Sequence, residues 1–438
     1  MPKPVRPQPG LSSTRREFLK TSTAVVGGAL AGGLALSRSA HAAGSDILKV
    51  GLVGCGGRGT GAAANALNAD PNTKLVAMGD IFEDRLNGSL DSLKKQFKDR
   101  IAVDADHCFL DFDGYKKVIE CSDVVILGEV PHFRPMHLKA AIDAGKHVFC
   151  EKPVAVDAPG VRAVLATCEE AAKKGLSVVS GLCWRYHHGV KATMQRVLDG
   201  AIGDIVTMQE TYLTGSLWHR GHKPDDTEMR YQLRNWYYFT WLSGDFNTEQ
   251  HIHSLDKAMW AMRDEPPAKA WGLGGRQVRT DPLYGDIYDH HAVVYEWANG
   301  TRCYAYCRQQ PGCYSDVSDI YSGTKGQANI LKFRVDGAEK WKFEGEGGNM
   351  YELEHKALFE SIRSGKPINN GVYMARSTML AILGRMVNYT GQVLTWEQAI
   401  NSKQSLAPSA YAWNAEPPTK PDSNGKYPVA MPGVTKFV

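Results

Sequence analysis

Three glycines that follow an apolar run carry the first chemical signal in this sequence. The run from Ile47 to Val53 has the length of a strand, and Gly54, Gly56 and Gly59 follow it with the spacing G-x-G-x-x-G. At this spacing the first glycine permits a tight turn, the second lets backbone approach a pyrophosphate, and the third lets helix and strand pack closely. The phosphates of such a ligand bind backbone N–H groups at a helix N-terminus. The pattern therefore predicts a dinucleotide site.

A carboxylate at a suitable distance supports this interpretation. A second apolar run, residues 74–79, ends at Asp80, which lies 21 residues after Gly59. Dinucleotide folds place an acid about 20 residues beyond the glycines, where it hydrogen-bonds the ribose hydroxyls. Asp80 is followed by Ile81 and Phe82 rather than by a basic residue. The sequence therefore favours NAD over NADP, because a carboxylate repels a 2′-phosphate.

Ionisable residues in two later segments could stabilise charge and move a proton. Lys152 lies in the sequence EKP directly after the apolar run 147–150, at the carboxyl end of an expected parallel strand. Ligands of doubly wound sheets bind at that edge. Glu249 and His253 are four residues apart, so a helix would place both on one face. A neutral imidazole suits the removal of a hydroxyl proton, and an ammonium group suits the stabilisation of an alkoxide.

The elements that must position these residues alternate in type. Helical patterns at 86–97, 115–120, 134–144 and 157–174 alternate with strand patterns at 123–128, 147–150 and 177–186. This alternation predicts a doubly wound parallel sheet. Longer strands with polar residues at alternate positions follow at 206–213, 292–297 and 302–307, and predict a second sheet with an exposed or subunit-facing surface. Two more helices are expected at 351–364 and 374–389.

Three of these motifs together resemble one known family. The glycine pattern, the segment AGKHVFCEKP at 144–153 and the later acid-x-x-x-His segment resemble the Gfo/Idh/MocA family of oxidoreductases. The resemblance implies an α/β fold with an N-terminal Rossmann domain at 46–180. It also implies a C-terminal α/β domain at 181–416, with a large, open, mostly antiparallel sheet and with helices at 351–389 that pack back on the body. The proline-rich residues 417–438 predict an extended C-terminal arm.

The resemblance also implies the activity and assigns residues to it. The implied activity is that of a nicotinamide-dependent oxidoreductase acting on CH–OH groups. Lys152 then hydrogen-bonds the alcohol oxygen, and His253 takes the hydroxyl proton. Glu249 orients the imidazole or the substrate. The acid here is Glu rather than the family's commoner Asp, and His251 is a second imidazole nearby, so the choice of base between the two histidines stays open. The expected cofactor-binding residues are Gly54, Gly56, Gly57, Arg58, Gly59, Asp80, Glu151 and Lys152.

Aromatic and polar residues near these segments predict the lining of a sugar pocket, namely Arg185, Tyr186, Trp236 and His251. We therefore expect oxidation or reduction of a ring secondary hydroxyl of a sugar, cyclitol or glycoside. A glycosidase that retains NAD and acts through transient oxidation and elimination needs the same groups and stays open. A non-catalytic homologue that senses a ligand is disfavoured because all three catalytic residues are present. The sequence leaves open the sugar, the carbon oxidised and the direction of reaction.

Paired histidines raise the question of a metal site. Two doublets occur, His187-His188 and His290-His291. Adjacent residues on a strand point to opposite faces of a sheet, so neither doublet can supply two ligands from one face. The sequence therefore predicts no metal.

The first 42 residues have the features of a twin-arginine signal peptide. Arg15 and Arg16 precede the short, glycine-rich apolar segment 24–36, and the sequence AHA at 40–42 offers an A-x-A cleavage site. This predicts a periplasmic or otherwise exported protein, and retention of the segment as an anchor stays open. Because no nicotinamide pool is maintained outside the cytoplasm, we expect NAD to be tightly bound.

Charge excludes two classes of partner. The whole chain carries a net charge of +4 and residues 1–42 carry +5, so the remainder is near −1. This balance gives no support for binding nucleic acid or an anionic membrane surface. No stretch after the signal is long and apolar enough to span a bilayer. The open sheet implied by the resemblance predicts a homo-oligomer, either a dimer or a tetramer.

Overall fold

The computed structural model describes residues 46–438, so the twin-arginine signature and the expected cleavage site lie outside the described residues. Residues 48–438 form one compact unit that contains two sheets. Within the described range, none of the helices combines the length and the apolar character needed to cross a membrane.

The first sheet contains six strands, all parallel, in the order β3-β2-β1-β4-β5-β6. They are β1 (Leu48–Val53), β2 (Thr73–Asp80), β3 (Cys108–Leu110), β4 (Val124–Leu127), β5 (His147–Cys150) and β6 (Val178–Ser180). This order is that of a doubly wound dinucleotide-binding fold. The predicted parallel sheet is therefore confirmed.

Helices cover both faces of this sheet because its strands are apolar on both sides. In β4, Val124 and Ile126 belong to one apolar core and Val125 and Leu127 to another, as expected for side chains that alternate between faces. The helices are α1 (Gly57–Ala69), α2 (Glu83–Phe97), α3 (Gly114–Cys121), α4 (Arg134–Asp143) and α5 (Ala158–Lys173).

The second sheet has nine strands in the order β14-β13-β12-β11-β7-β10-β9-β8-β15. Only β7 and β10 pair in parallel, so the sheet is mostly antiparallel, as expected. Its strands are β7 (Ile205–Thr214), β8 (Lys269–Gly275), β9 (His290–Glu296), β10 (Arg302–Gln309), β11 (Asp316–Gly323), β12 (Gly326–Asn329), β13 (Arg334–Asp336), β14 (Lys340–Lys342) and β15 (Leu394–Thr395).

The remaining helices connect the second sheet to the first. They are α6 (His188–Leu198), α7 (Glu228–Arg234), α8 (Thr240–Ser243), α9 (Phe246–Glu249), α10 (Ile252–Ala261), α11 (Met350–Arg363), α12 (Gly371–Thr390) and α13 (Trp396–Ile400). Leu358 and Phe359 of α11 belong to the same apolar core as Val50 and Leu52 of β1. From residue 401 to residue 438 the chain contains neither helix nor strand.

One predicted strand is wrong over most of its length. We expected a strand at 177–186, but β6 ends at Ser180 and a 3₁₀ turn follows at Cys183–Arg185. The strand is short because β6 pairs with β5 over only three residues. The backbone N–H of Arg185 then donates to the carbonyl of Leu182, at 3.1 Å, which closes the turn.

Candidate active site

The glycine turn leaves open space at the start of α1. A Cβ atom on Gly54 would lie 2.4 Å from backbone atoms of Glu129, and one on Gly59 would lie 1.8 Å from the carbonyl oxygen of Gly54. Gly54 also has a φ of +88°, which favours glycine. A Cβ on Gly56 or Gly57, in contrast, would meet nothing within 4 Å. The first and third glycines therefore shape the turn, and the middle pair faces space where a phosphate can reach the N-terminus of α1.

Asp80, the last residue of β2, lies beside this turn. One carboxylate oxygen accepts the N–H of Cys55 at 2.7 Å, and the other accepts the N–H of Phe82 at 2.8 Å. Burial raises the pKa of Asp80, and these two N–H groups oppose the rise. Each oxygen retains a second lone pair, which can accept a ribose hydroxyl. Asp80 therefore supports the turn and lines the same cavity.

Arg58, directly after the glycines, joins three parts of the chain. Its guanidinium donates to Glu151 and to Glu354 of α11, the latter at 3.3 Å, and lies 4.7 Å above the ring centre of Tyr351. Burial opposes ionisation of Glu151, but the nearby Arg58 charge holds its pKa below the usual range. Burial and the Glu151 charge raise the pKa of Glu354. These contacts fix the Arg58 side chain, which lines the cavity.

Lys152 and Glu249 form an ion pair inside the cavity. The Lys152 ammonium lies 2.8 Å from Oε1 of Glu249 and 2.5 Å from the Glu249 carbonyl oxygen. Only 12 % of the Lys152 side chain and 17 % of the Glu249 side chain are exposed. The backbone N–H of Lys152 also donates to Glu151 at 3.1 Å. Glu249 therefore fixes the ammonium at the carboxyl end of β5.

The helix that would place Glu249 and His253 on one face is interrupted between them. α9 ends at Glu249 and α10 begins at Ile252. The N–H of His253 donates to the carbonyl of Gln250, at 3.2 Å, instead of to that of Glu249. The Glu249 carbonyl accepts from Lys152 at 2.5 Å. The carboxylate of Glu249 orients the lysine in this structure, and no hydrogen bond joins it to the imidazole of His253 among the described contacts.

His253 is half-buried, and its imidazole has a strong preference for the neutral form. Burial lowers its pKa well below the ordinary value of 6.5, and the charges of Lys152, Lys257 and Arg58 lower it further. Its Nδ1 is buried and has no hydrogen-bond partner among the described residues. The Lys257 ammonium donates to the His253 carbonyl and pairs with Asp319 at 3.0 Å. A neutral imidazole beside Lys152 is suited to accept a proton.

His251 lies in the interior instead of in the expected sugar pocket. It is 1 % exposed, and its Nδ1 lies 3.0 Å from the side-chain oxygen of Asn247. Burial lowers its pKa to about 3. His251 lies in the break between α9 and α10 and His253 lies in α10, and neither histidine belongs to the cavity lining. The Lys152 charge lowers the pKa of His253, so the proximity of His253 to Lys152 favours it over His251 as the candidate base.

Arg185 and Tyr186 are also placed outside the cavity lining, contrary to the sequence interpretation. The Arg185 guanidinium pairs with Asp256 at 2.8 Å and with Asp264 at 2.6 Å. The Tyr186 hydroxyl donates to the side chain of Asn370 at 2.8 Å. Arg185 therefore binds α10 and the turn that follows it, and Tyr186 binds the start of α12, so both residues have structural contacts. Of the four expected pocket residues, Trp236 alone lines the cavity.

The cavity itself measures about 490 Å³ and contains residues that the sequence interpretation missed. His137 and Glu129 form a buried pair at 3.0 Å, and the His137 ring stacks on Tyr115 with 3.9 Å between ring centres. Glu129 follows the carboxyl end of β4, so the rule that indicated Lys152 could have found it. Trp218 and Arg220 come from a loop that carries no local signal of this role.

The histidine doublets do not converge on a common centre. His291 is buried and lies 3.2 Å from Asp245, whereas His290 is half-exposed and lies 2.8 Å from Asp289. Over residues 46–438, no three His, Cys, Asp or Glu side chains are grouped as a metal ion would require.

Comparison with known proteins gives three findings. Residues 48–180 match the GFO_IDH_MocA model, described as an oxidoreductase family with an NAD-binding Rossmann fold. Inositol 2-dehydrogenase of Salmonella typhimurium is 24% identical over 338 residues, which cover 73% of this chain and 87% of that protein. Glycosyl hydrolase family 109 protein 4 of Phocaeicola vulgatus is 26% identical over 171 residues, covering 38% of this chain and 31% of that protein.

A solved structure shares the fold over most of the chain. The complex of levoglucosan dehydrogenase with NADH and levoglucosan has a TM-score of 0.62 and 18% identity to this chain, and the match covers 80% of this chain and 99% of that one. Both sheets of the present structure are therefore those of a known α/β architecture.

Proposed function

We propose that this chain, an oxidoreductase whose Rossmann domain is that of the Gfo/Idh/MocA family, oxidises or reduces a ring CH–OH group of a sugar, cyclitol or glycoside with NAD. One observation carries the proposal. The Lys152–Glu249 pair lies in the same cavity as Gly56 and Asp80, and the neutral His253 imidazole is close enough for Lys152 to depress its pKa. The names of the relatives, which refer to inositol and levoglucosan, support the substrate class.

The residues of the cavity fit a dinucleotide. Gly56 and Gly57 front the open space, Arg58 can meet phosphate charge, and Asp80 can accept ribose hydroxyls. NAD, when bound, would accept the hydride that leaves the alcohol carbon or return it. Asp80 supports NAD over NADP, although Arg85 and Arg220 line the same cavity. Dissociation constants for both cofactors test this preference, and tighter binding of NADP would refute it.

Three side chains, those of Lys152, His253 and Glu249, together bind the alcohol oxygen and move its proton. Lys152 donates a charged hydrogen bond to the alcohol oxygen and stabilises negative charge as the C–H bond breaks. His253, neutral at working pH, accepts the hydroxyl proton. Glu249 keeps the ammonium in place through its carboxylate and its carbonyl. In the reverse direction, the imidazolium returns the proton to the oxygen.

Glycoside cleavage through transient oxidation is the second candidate. The similarity to glycosyl hydrolase family 109 protein 4 favours it, although this similarity covers only 31% of that protein. Oxidation of a ring carbon would acidify the neighbouring C–H, so that the proton and the aglycone could be eliminated. Water would then add to the resulting double bond, and the hydride held by the cofactor would return to the carbonyl carbon. The oxidation and reduction steps of this mechanism would use the same three residues, Lys152, Glu249 and His253.

A substrate panel tests the proposal and separates the two candidates. The purified protein is incubated with free sugars, cyclitols and glycosides while reduced nicotinamide and released sugar are both measured. A dehydrogenase accumulates reduced nicotinamide or transfers its hydride to a second substrate, and a glycosidase releases sugar with no net change in the cofactor. If no compound of the panel changes either signal, the proposed substrate class is wrong.

We further propose that the protein is exported with its NAD tightly bound. The twin-arginine pattern of residues 1–42 supports export, because this route carries folded proteins that can hold a cofactor. Recovery of the native protein from the periplasm, followed by denaturation, tests both points. Protein found only in the cytoplasm would refute export, and exported protein without dinucleotide would refute retention.

The outer face of the second sheet supports assembly into a dimer or tetramer. Leu273 is 68% exposed and Tyr306 is 39% exposed, and they flank Ala292 on neighbouring strands. A contiguous apolar face of this kind marks an interaction surface. Mass measurement in solution tests the assembly, and Leu273→Lys should dissociate it. A wild-type monomer would refute this proposal.

A further inference from the structure

Two aromatic side chains form one end of the cavity. Phe82 and Phe112 follow the carboxyl ends of β2 and β3, and both line the cavity beside Asp80. If Asp80 binds the adenosine ribose, as the proposed function requires, these rings lie where the adenine would be. Flat aromatic faces are suited to stack on a purine base. The proposed function therefore places the adenosine of NAD at this end of the cavity.

The outer side of these rings is covered by the far C-terminus of the chain. The Trp413 ring centre lies 5.0 Å from that of Phe112 and 5.5 Å from that of Phe82. The carbonyl of Trp413 accepts the hydroxyl of Thr227 at 2.6 Å, which ties the segment to the start of α7. Nearby, the Tyr411 hydroxyl lies 2.8 Å from Nε2 of His132. The segment is thus held by hydrogen bonds at both Tyr411 and Trp413.

Helix α7 closes the same end from the second domain. Arg234 makes a bidentate ion pair with Asp84 at 2.6 and 2.7 Å, and its guanidinium lies 3.9 Å above the ring centre of Phe82. Arg230 lies 5.0 Å from the ring centre of Trp413. Arg234 itself lines the cavity. We use the term clasp for Phe82, Asp84, Phe112, Arg234 and Trp413.

We propose that the clasp is part of the cofactor site and controls the exchange of the dinucleotide. It joins the Rossmann domain to α7 and to the C-terminal segment across the adenosine end of the cavity. Entry or release of NAD at this end then requires the ion pair to break and Trp413 to leave the two rings. The clasp makes the exchange of NAD slow, which explains how an exported enzyme retains its cofactor. This inference rests on the proposed function, because it requires the cavity to hold NAD.

The dissociation rate of NAD tests the clasp directly. The full-length protein is loaded with labelled NAD, and loss of label into excess unlabelled NAD is followed. We expect Trp413→Ala to release NAD at least about tenfold faster, because two aromatic contacts that close the pocket are lost. Trp413→Phe should stay within about threefold of wild type because a ring still covers Phe82 and Phe112.

The chain offers a matched control. Trp341 also lies beside an arginine, with 5.2 Å between its ring centre and the guanidinium of Arg196, but neither of these two residues lines the cavity. Trp413 is not in the lining either, but both rings that it contacts, Phe82 and Phe112, are. Trp341→Ala should therefore leave the NAD dissociation rate at its wild-type value. If Trp413→Ala does not fold, Arg234→Met decides, since it removes the ion pair to Asp84, of which 61% is exposed, and the guanidinium contact with the Phe82 ring, while it keeps a long side chain. We expect it to accelerate release several-fold.

Each result leads to a definite conclusion. Faster release in Trp413→Ala and Arg234→Met, with wild-type release in Trp341→Ala, supports the clasp. Release that neither clasp variant accelerates overturns the clasp and leaves the proposed function intact. A wild-type protein that binds neither NAD nor NADP overturns both.

Discussion

Replacement of Glu249 by Gln tests how Lys152, the proposed catalytic lysine, is held. The change keeps the side-chain size and the backbone carbonyl but removes the charge 2.8 Å from the Lys152 ammonium. A pair of unit charges at this separation interacts by roughly 6 kcal/mol at an effective dielectric constant near 20. The dehydration of both groups offsets much of this energy, and removal of one partner from a buried pair typically costs about 3–5 kcal/mol.

The expected effect is smaller than that range for two structural reasons. The two side chains keep 12 % and 17 % exposure, and the Glu249 carbonyl still binds the ammonium at 2.5 Å. We therefore expect a loss of about 2 kcal/mol in transition-state stabilisation, which is roughly 30-fold in kcat/KM. NAD affinity should stay nearly unchanged, and Glu249→Asp should recover part of the rate because the charge returns.

The assay compares kcat/KM on the best substrate of the panel with the dissociation constant for NAD measured by calorimetry. Thermal unfolding of each variant controls for misfolding. A kcat/KM of Glu249→Gln equal to that of wild type would refute the role of the ion pair in positioning Lys152. An equal loss of NAD affinity and rate would show that Glu249 supports the cofactor instead.

Three other predictions follow from the same geometry. His253→Ala should lower turnover by about 10²- to 10⁴-fold, the range for a general base, whereas the buried His251→Ala should act mainly on thermal stability; the opposite result would make His251 the base. Because the pKa of His253 lies below 6.5, this proposed base is already neutral above that pH and kcat/KM should fall only as the pH drops further; an acid limb above pH 7 would contradict this. Asp319→Ala should lower the free energy of unfolding by about 3–5 kcal/mol because Lys257, which is 1% exposed, loses its counterion; chemical denaturation measures this, and a loss under about 1 kcal/mol would contradict it.

The parallel sheet could be predicted from the sequence because its signals are local. A fully buried strand such as Val124–Leu127 is a continuous apolar run, and a sheet covered on both faces requires such runs. The glycine spacing and the position of Asp80 are also readable along a short stretch. The structure confirms the resulting fold class and differs from it mainly in the bounds of elements, such as the short β6.

The contacts of the site could not be predicted because they join distant segments. Arg185 at the end of a strand resembled a ligand-binding residue, but its partners Asp256 and Asp264 lie 71 and 79 residues away. The carbonyl of Glu249, where α9 ends, accepts from Lys152, which is 97 residues away in the chain. No local pattern records such pairings. The sequence could therefore indicate which residues carry chemistry but not which of them meet.

The most direct test of the central claim is to follow the hydrogen that leaves the alcohol carbon. The best substrate of the panel is prepared with deuterium on the carbon that is oxidised. After one turnover the protein is denatured, and the cofactor that it releases is analysed by mass spectrometry. The account predicts deuterium in the reduced nicotinamide, and loss of this transfer in His253→Ala. Product formation with no deuterium in the cofactor would contradict hydride transfer to NAD and with it the function proposed for this cavity.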